Sequence, residues 1–223
     1  MPEHREFIKS VLTFWENLSE SEKFRIIDNT YPVTYKRGET IHSGENDCIG
    51  ILLIKSGGLR TYILSEDGRE ITLYRLAPGD ICVLSSSCVL SNITFDVHID
   101  ADFDSELMII NSDVYSNLVA TNVHVENFTN KEAVARFSDV MWAMQQILFM
   151  SFDKRLASFL IDEIARNGSM DVNMTHDQIA KYVGSAREVV SRMLKYFAAE
   201  GIVELQRGGI KILDKSKLRS LLE

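Results

Sequence analysis

A short polar set near the C-terminus could read the edges of DNA bases: Arg187, Glu188, Ser191 and Arg192. Arginine can donate two hydrogen bonds to guanine O6 and N7, glutamate can accept one from cytosine N4, and serine can bond either kind of edge. On a helix, Glu188, Ser191 and Arg192 occupy positions i, i+3 and i+4, so all three lie on one face. The same residues also fit a solvated amphipathic helix on which Glu188 is only a cap, because short matches of this kind arise by chance.

Two short helices joined by a tight turn are predicted to carry this set. Thr175 and Gln178 have the spacing of a capping box, which starts the first helix. Gly184 can take the left-handed conformation that ends it. Ser185 and Glu188 form a second predicted capping box, so a new helix should start at once. That helix has an apolar stripe at helical spacing, formed by Val190, Met193, Leu194 and Phe197. The pattern predicts a helix-turn-helix with an exposed polar face.

This segment resembles the recognition region of the Crp/Fnr family of bacterial transcription regulators. The family pattern is arginine-glutamate, two further residues, a small residue and arginine, and residues 187–192 match it as REVVSR. The resemblance implies a homodimer on a palindromic DNA site with half-sites of TTGA or TGTGA character. Seven residues are expected to contact DNA in this region: Thr175, Ser185, Arg187, Glu188, Ser191, Arg192 and Lys195.

A β-hairpin is predicted after the second helix, in the segment IVELQRGGIKIL. Gly208 and Gly209 mark its turn. The hairpin is interpreted as the wing of a winged helix, with Arg207 and Lys211 placed to contact backbone phosphates. Asp214 is then expected to cap a last helix.

The net charge of −8 is unevenly distributed along the chain. Residues 1–152 hold 12 Lys and Arg against 22 Asp and Glu, a net charge of −10. Residues 153–223 hold 12 against 10, a net charge of +2. The C-terminal part is therefore the part expected to meet phosphates. Because its positive surplus is small, its non-specific affinity for DNA should be weak and sensitive to salt.

Short strands separated by turns follow from Tyr31 onward, with breaks at Gly38, Gly57-Gly58 and Pro78-Gly79-Asp80. This pattern is typical of a sandwich or a roll. In the family the region is a β-roll similar to a cyclic-nucleotide-binding domain. A cupin-type metalloenzyme would share this architecture, but it needs clustered histidines. The five histidines are scattered, so neither a metal site nor an enzyme is predicted: His4, His42, His98, His124 and His176.

The sequence departs from the family's cyclic AMP pocket. Residues 76–105 contain no Lys or Arg, so a buried phosphate there would lack its charge partner at a cost of several kcal/mol. Cyclic AMP is therefore not expected, and the serines and thiols of this segment favour a neutral or weakly polar effector, or no ligand. The candidate pocket residues are Cys82, Ser85, Ser86, Cys88 and Thr94.

Three cysteines without a C-x-x-C motif argue against a disulfide scaffold and fit a reducing compartment: Cys48, Cys82 and Cys88. They could be buried apolar residues, line the effector pocket or sense oxidants. An Fnr-type iron–sulfur cluster is disfavoured because no cysteine precedes Cys48.

A long helix is predicted over about residues 125–151, with an apolar stripe spaced 3, 4, 3 and 4: Val134, Phe137, Met141, Met144 and Leu148. Such a stripe is a heptad seam, although ordinary core helices also show it. Because the family places its dimerisation helix here, the seam is interpreted as the dimer interface.

The prediction is an α+β chain in three parts. Residues 1–122 form N-terminal helices and the β-roll sensor, 123–152 the dimerisation helix and hinge, and 153–223 the winged helix-turn-helix, whose first helix Asp153 caps and Gly168 ends. The expected partners are double-stranded DNA, a second copy of the chain and RNA polymerase. The chain has neither a signal region nor an apolar run of about 18 residues, so it is expected to be cytoplasmic.

Overall fold

The computed structural model describes residues 2–43, 48–66, 68–83, 85 and 97–222. The chain divides into two units, of which the first holds residues 1–63 and 73–140 and the second holds 64–72 and 141–223. Among the described residues, no helix is long and apolar enough to span a bilayer.

The first unit is a β-roll preceded and followed by helices. Two four-stranded sheets form the roll, in the orders β1-β8-β3-β6 and β2-β7-β4-β5. Its elements are α1 Pro2–Val11, a 3-10 turn Trp15–Asn17, α2 Glu20–Asp28, β1 Thr30–Tyr35, β2 Thr40–His42, β3 Ile51–Ser56, β4 Leu59–Leu64, β5 Glu70–Leu76, β6 Ile81–Cys82, β7 His98–Ala101, β8 Ser105–Ile110 and α3 Ser112–Thr121. The last residue of β4 and the first three residues of β5 fall within the 64–72 segment of the second unit. The predicted β-roll is confirmed.

Strand β3 shows why this sheet has a core on both faces. Its residues are buried without a break from Ile51 to Ile54. Since successive strand residues point to opposite faces, Ile51 and Leu53 join the cluster under the N-terminal helices. Leu52 and Ile54 join the cluster on the other face of the sheet. The unbroken ILLI run is therefore the signature of a strand covered on both sides.

The turn between β3 and β4 requires glycine. Gly57 has a φ of +82°, and a Cβ there would lie 2.5 Å from the carbonyl oxygen of Asp104. Beside it, the buried Ser105 hydroxyl accepts a hydrogen bond from the Gly58 N–H at 3.0 Å. The glycine pair lets the strands turn without disturbing this contact.

The cysteines differ in part from the expectation. Cys48 is disulfide-bonded, so the expectation of unpaired thiols is wrong for this residue. Cys82 keeps a buried, unbridged thiol, as a small apolar core residue would, and Cys88 lies outside the described residues. The spacing of thiols in a sequence does not show which of them meet, because that depends on how strands and loops pair.

Helix α4 runs from Val123 to Phe149, beginning in the first unit and ending in the second. It confirms the predicted long helix. Its apolar stripe is largely exposed in the single chain: Val134 64%, Phe137 64%, Met141 47%, Met144 46% and Leu148 66%. Ala143, on another face of the helix, is only 8% exposed. The stripe therefore lies outside the core of the single chain.

The second unit contains a small three-stranded sheet, in the order β10-β11-β9, and helices that enclose one apolar core. Its elements are α5 Phe152–Asn167, β9 Asp171–Val172, α6 His176–Val183, α7 Arg187–Ala199, β10 Val203–Gln206, β11 Gly209–Ile212 and α8 Lys215–Ser220. The predicted winged helix-turn-helix is confirmed.

Outside the turn between α6 and α7, four capping residues were predicted for this unit, and three of them are confirmed. Gly168 ends α5 in the left-handed conformation, and the Asp214 side chain accepts from the Lys217 N–H at the start of α8. Thr175 starts α6 as predicted. Asp153 does not cap α5, because the helix already begins at Phe152 and its N-cap is Ser151, two residues before Asp153. Asp153 lies in the first turn, where a hydrogen bond from the Ser151 side chain lowers its pKa.

Candidate nucleic-acid interface

The first helix of the pair, α6, begins with the predicted capping box. The Gln178 N–H donates to Thr175 Oγ1 at 3.2 Å, and the Thr175 N–H donates to Gln178 Oε1 at 2.8 Å. The helix then buries Ile179, Ala180 and Val183 in the core of the unit. These hydrogen bonds fix where α6 starts, and the Thr175 hydroxyl serves as the acceptor of the cap.

The turn between the two helices differs from the prediction. Gly184 is left-handed as expected, and the Ser185 N–H donates back to the Ala180 carbonyl at 3.0 Å. Helix α7 then begins one residue later than expected, and its N-cap is Ala186, which makes no side-chain cap bond. The predicted Ser185–Glu188 capping box is therefore wrong, because the extended residue that precedes the helix is Ala186 and Ser185 lies one position before it.

This correction favours a reading role for Glu188. Its carboxylate is not used to cap the helix, so the interpretation in which Glu188 serves only as a cap is removed. Its side chain lies exposed in the first turn of α7. Ser185, half-buried in the turn, is likewise not a cap.

Helix α7 separates an apolar face from a polar one. Its buried face consists of Val190, Leu194 and Phe197, with Met193 partly buried beside them. The opposite side exposes Arg187, Glu188, Arg192 and Lys195, with Ser191 half-buried. The structure thus brings all five predicted residues of this helix to one accessible side.

One member of this face has an ion-pair partner inside the protein. Arg187 Nε lies 3.6 Å from Asp177 Oδ2, and the two side chains are 63% and 61% exposed. Because exposed pairs of this kind contribute little to stability, Arg187 can exchange Asp177 for a phosphate or a guanine at small cost.

The wing is the hairpin of β10 and β11. Gln206 pairs with Gly209, so the turn consists of Arg207 and Gly208, the latter with a φ of +81°. Arg207 is exposed at this tip. Lys211 is also exposed, but its cross-strand neighbours are Glu204 and Asp171. Of the two predicted phosphate contacts, Arg207 is therefore the one whose positive charge has fewer acidic neighbours on the hairpin.

The candidate effector residues are only partly described. Cys82 is buried in β6. The buried Ser85 hydroxyl lies 2.7 Å from the Gly50 carbonyl oxygen and 3.1 Å from that of Cys82. Ser85 therefore ties backbone segments together. Ser86, Cys88 and Thr94 lie outside the described residues.

Two buried hydroxyls in the β-roll were not singled out by the sequence. Thr61 in β4 is 0% exposed and Tyr74 in β5 is 7% exposed. Within the described part of the chain, neither Thr61 Oγ1 nor Tyr74 Oη has a partner with full hydrogen-bond geometry, although the two hydroxyls lie close enough for Thr61 to lower the pKa of Tyr74. Burial raises the pKa of Tyr74 well above its usual value, and the neighbouring Thr61 hydroxyl offsets only part of that rise. The guanidinium of Arg136, from α4, lies 5.2 Å from the centre of the Tyr74 ring.

Two other arginines of the roll are already neutralised. Arg60 Nη2 donates to Asp100 Oδ2 at 3.1 Å, and Arg75 Nε donates to Asp102 Oδ2 at 2.6 Å. All four side chains are largely buried. Because these guanidinium groups already form ion pairs with carboxylates of the protein, they are poorly placed to bind a phosphate.

A β-roll, a long helix with an exposed apolar stripe, and a winged helix-turn-helix with a polar reading face together define a DNA-binding transcription regulator. Sequence comparison agrees with this architecture. Residues 32–122 match the cyclic nucleotide-binding domain, and residues 154–221 match the Crp-like helix-turn-helix domain.

Known proteins place the chain more closely. A solved structure of a putative transcriptional regulator of the Crp/Fnr family from Eubacterium rectale is 47% identical, covers 96% of this chain and 99% of its own, and superposes with a TM-score of 0.93. Electron transport regulator A from Shewanella oneidensis is 25% identical over 209 residues, covering 88% of this chain and 79% of its own. Transcriptional activator protein FnrA from Stutzerimonas stutzeri is 25% identical over 197 residues, with 83% and 78% covered. The chain belongs to the Crp/Fnr family of transcription regulators, and the alternative of a cupin-like metalloenzyme finds no support.

Proposed function

We propose that two copies of this chain assemble through the exposed stripe of α4 and bind a palindromic DNA site, one α7 helix to each half-site. The observation that carries the proposal is the polar face of α7, on which Arg187, Glu188 and Arg192 are exposed and take no part in capping. Recognition helices of paired domains enter successive major grooves, so half-sites one or two helical turns apart are expected. Such a protein acts where the chromosome lies, in the bacterial cytoplasm. Contact with RNA polymerase remains an expectation from the family resemblance.

Selection from a random duplex library tests this function. The purified protein should enrich inverted repeats whose half-sites have TTGA or TGTGA character, because a two-fold dimer requires a two-fold site. Footprinting on the enriched duplex should protect both half-sites at the same protein concentration. Enrichment of single, unrepeated sites, or no enrichment at all, would contradict the proposal.

We also propose that the β-roll binds a small effector other than cyclic AMP, at the hydroxyls of Thr61 and Tyr74. A buried hydroxyl without a partner costs about 1–3 kcal/mol, so a ligand that accepts or donates hydrogen bonds there would recover that free energy. Arg60 and Arg75 are already paired with carboxylates, which leaves them poorly suited to a cyclic phosphate. The chemistry points to a neutral or weakly polar molecule.

Replacing Tyr74 by phenylalanine should therefore leave the ligand-free protein as stable as the parent, or more stable by about 1 kcal/mol, because it removes a buried polar group that lacks a partner. Tyr115→Phe is the matched control, since the Tyr115 hydroxyl is buried and lies 2.9 Å from Thr129 Oγ1. This control should lose about 0.5–1.5 kcal/mol.

Urea unfolding of ligand-free protein measures both changes, and native mass spectrometry of protein from its own host reports any bound molecule. An equal loss of stability in the two variants would show that the Tyr74 hydroxyl already has a partner, and the proposed effector contact would then be wrong.

A further inference from the structure

A cleft in the second unit lies between the reading helix and the wing. It has a volume of about 230 Å³. Its lining includes His176 and Asp177 from the start of α6, Arg187 from the start of α7, and Gln206 and Gly208 from the wing. When a recognition helix occupies the major groove, the first helix of the pair crosses the DNA backbone. The cleft is therefore placed where a phosphate strand would run.

His176 is the titratable group in this cleft whose charge can change near neutral pH. It is half-buried, and its side chain lines the cleft. Two cations face it from α7, Arg187 and Lys195, while Asp177 on its own helix is the opposing charge. The wing contributes the neutral Gln206 to the same cleft.

These surroundings favour a neutral imidazole in the DNA-free protein. Burial is the largest cause that lowers the pKa of His176, followed by the positive charge of Arg187 and, more weakly, that of Lys195. Asp177 raises the pKa but does not compensate. A DNA phosphate in the cleft would reverse this balance, because it places a negative charge beside the imidazole and screens the two cations.

We propose that His176 is a phosphate-binding residue that takes up a proton from solvent as DNA docks. This inference rests on the proposed DNA-binding function and adds a proton linkage to it. Each protomer of a dimer would acquire one positive charge on binding, located on the imidazole and neutralised by the phosphate. Association would therefore be favoured by acid.

The direction of the pH dependence follows from the two states. The pKa of His176 is lowered in the DNA-free protein and is raised by phosphate in the complex. Affinity is flat above the pKa of the complex, rises as the pH falls through that value, and levels off below the pKa of the DNA-free protein. A shift of about one unit between the states gives about tenfold in affinity for each protomer.

Fluorescence anisotropy on the selected palindrome, at constant ionic strength from about pH 5.5 to about pH 8.5, tests the linkage. The parent should bind at least about tenfold more tightly at the acidic end. His176→Gln should bind with almost no pH dependence. His124→Gln is the matched control, because His124 is exposed on α4, and it should retain the full dependence of the parent.

His176→Lys provides a second, independent variant, since it carries a positive charge at every pH tested. At the alkaline end it should bind more tightly than His176→Gln, and its salt dependence should be steeper by about 0.9 in the logarithmic slope for each additional phosphate that it neutralises. Equal affinity of these two variants, or an undiminished pH dependence in His176→Gln, would overturn the proposal. If the parent binds no duplex at any pH, the proposed DNA-binding function itself fails.

Discussion

Arg192→Ala is expected to weaken binding to the selected palindrome by about 1–3 kcal/mol, while binding to random duplex stays nearly unchanged. The guanidinium lies exposed on the polar side of α7, one turn from Glu188. A fork of two hydrogen bonds to one guanine carries sequence information, whereas a phosphate contact carries none. Dissociation constants on a set of single-base variants of the palindrome measure the effect, and the preference should relax at one base pair of each half-site.

Arg207→Ala is the matched control for this experiment. Arg207 is also exposed, but it lies at the turn of the wing, where only the backbone of the duplex is expected. Its loss should weaken all sequences alike and reduce the salt dependence of binding by about one charge for each protomer. Equal losses on the palindrome and on random duplex for Arg192→Ala would remove Arg192 from the reading set.

The helix-turn-helix could be predicted from sequence because its signals are local. The Thr175–Gln178 box depends on atoms three residues apart, and the left-handed turn at Gly184 depends on one backbone conformation. Both were confirmed. The apolar stripe of α7 was also right, since Val190, Leu194 and Phe197 are all buried.

The start of α7 shows where local signals become ambiguous. The spacing of Ser185 and Glu188 is that of a capping box, yet the N-cap of the helix is the extended Ala186, one residue after Ser185. One additional residue in the turn decides which side chain is the N-cap. The sequence pattern does not show how many residues the turn contains. The error matters for function, because the Glu188 carboxylate is not needed to cap the helix and is therefore available to contact DNA.

The buried hydroxyls of Thr61 and Tyr74 could not be found from the sequence. Each stands in an ordinary strand pattern, and polar residues alternate with apolar ones in most sheets. Their burial depends on how β4 and β5 close the roll. It also depends on Arg136, which lies over the Tyr74 ring and belongs to a helix far along the chain. The disulfide of Cys48 has the same origin in long-range pairing.

The stripe on α4 leads to the second large effect. Met141→Asp and Met144→Asp should each convert the dimer into a monomer that has lost its affinity for the palindrome. The two methionines are 47% and 46% exposed in the single chain, so the substitutions should leave the fold of the monomer intact. In a dimer joined along this stripe, each change buries two unpaired carboxylates, one from each copy, at a cost of several kcal/mol. A monomer engages one half-site only and lacks the advantage of a tethered second reading helix.

Sedimentation velocity at micromolar concentration and anisotropy on whole and half palindromes measure the two consequences. Ala135→Asp is the matched control, because it adds the same charge to an exposed position of α4 that lies off the stripe, and it should remain a dimer with parental affinity. On an isolated half-site, the parent and the variants should bind with similar weak affinity, since α7 is unchanged. If both methionine variants still sediment as dimers, the interface lies elsewhere, and the exposed stripe of α4 needs another explanation.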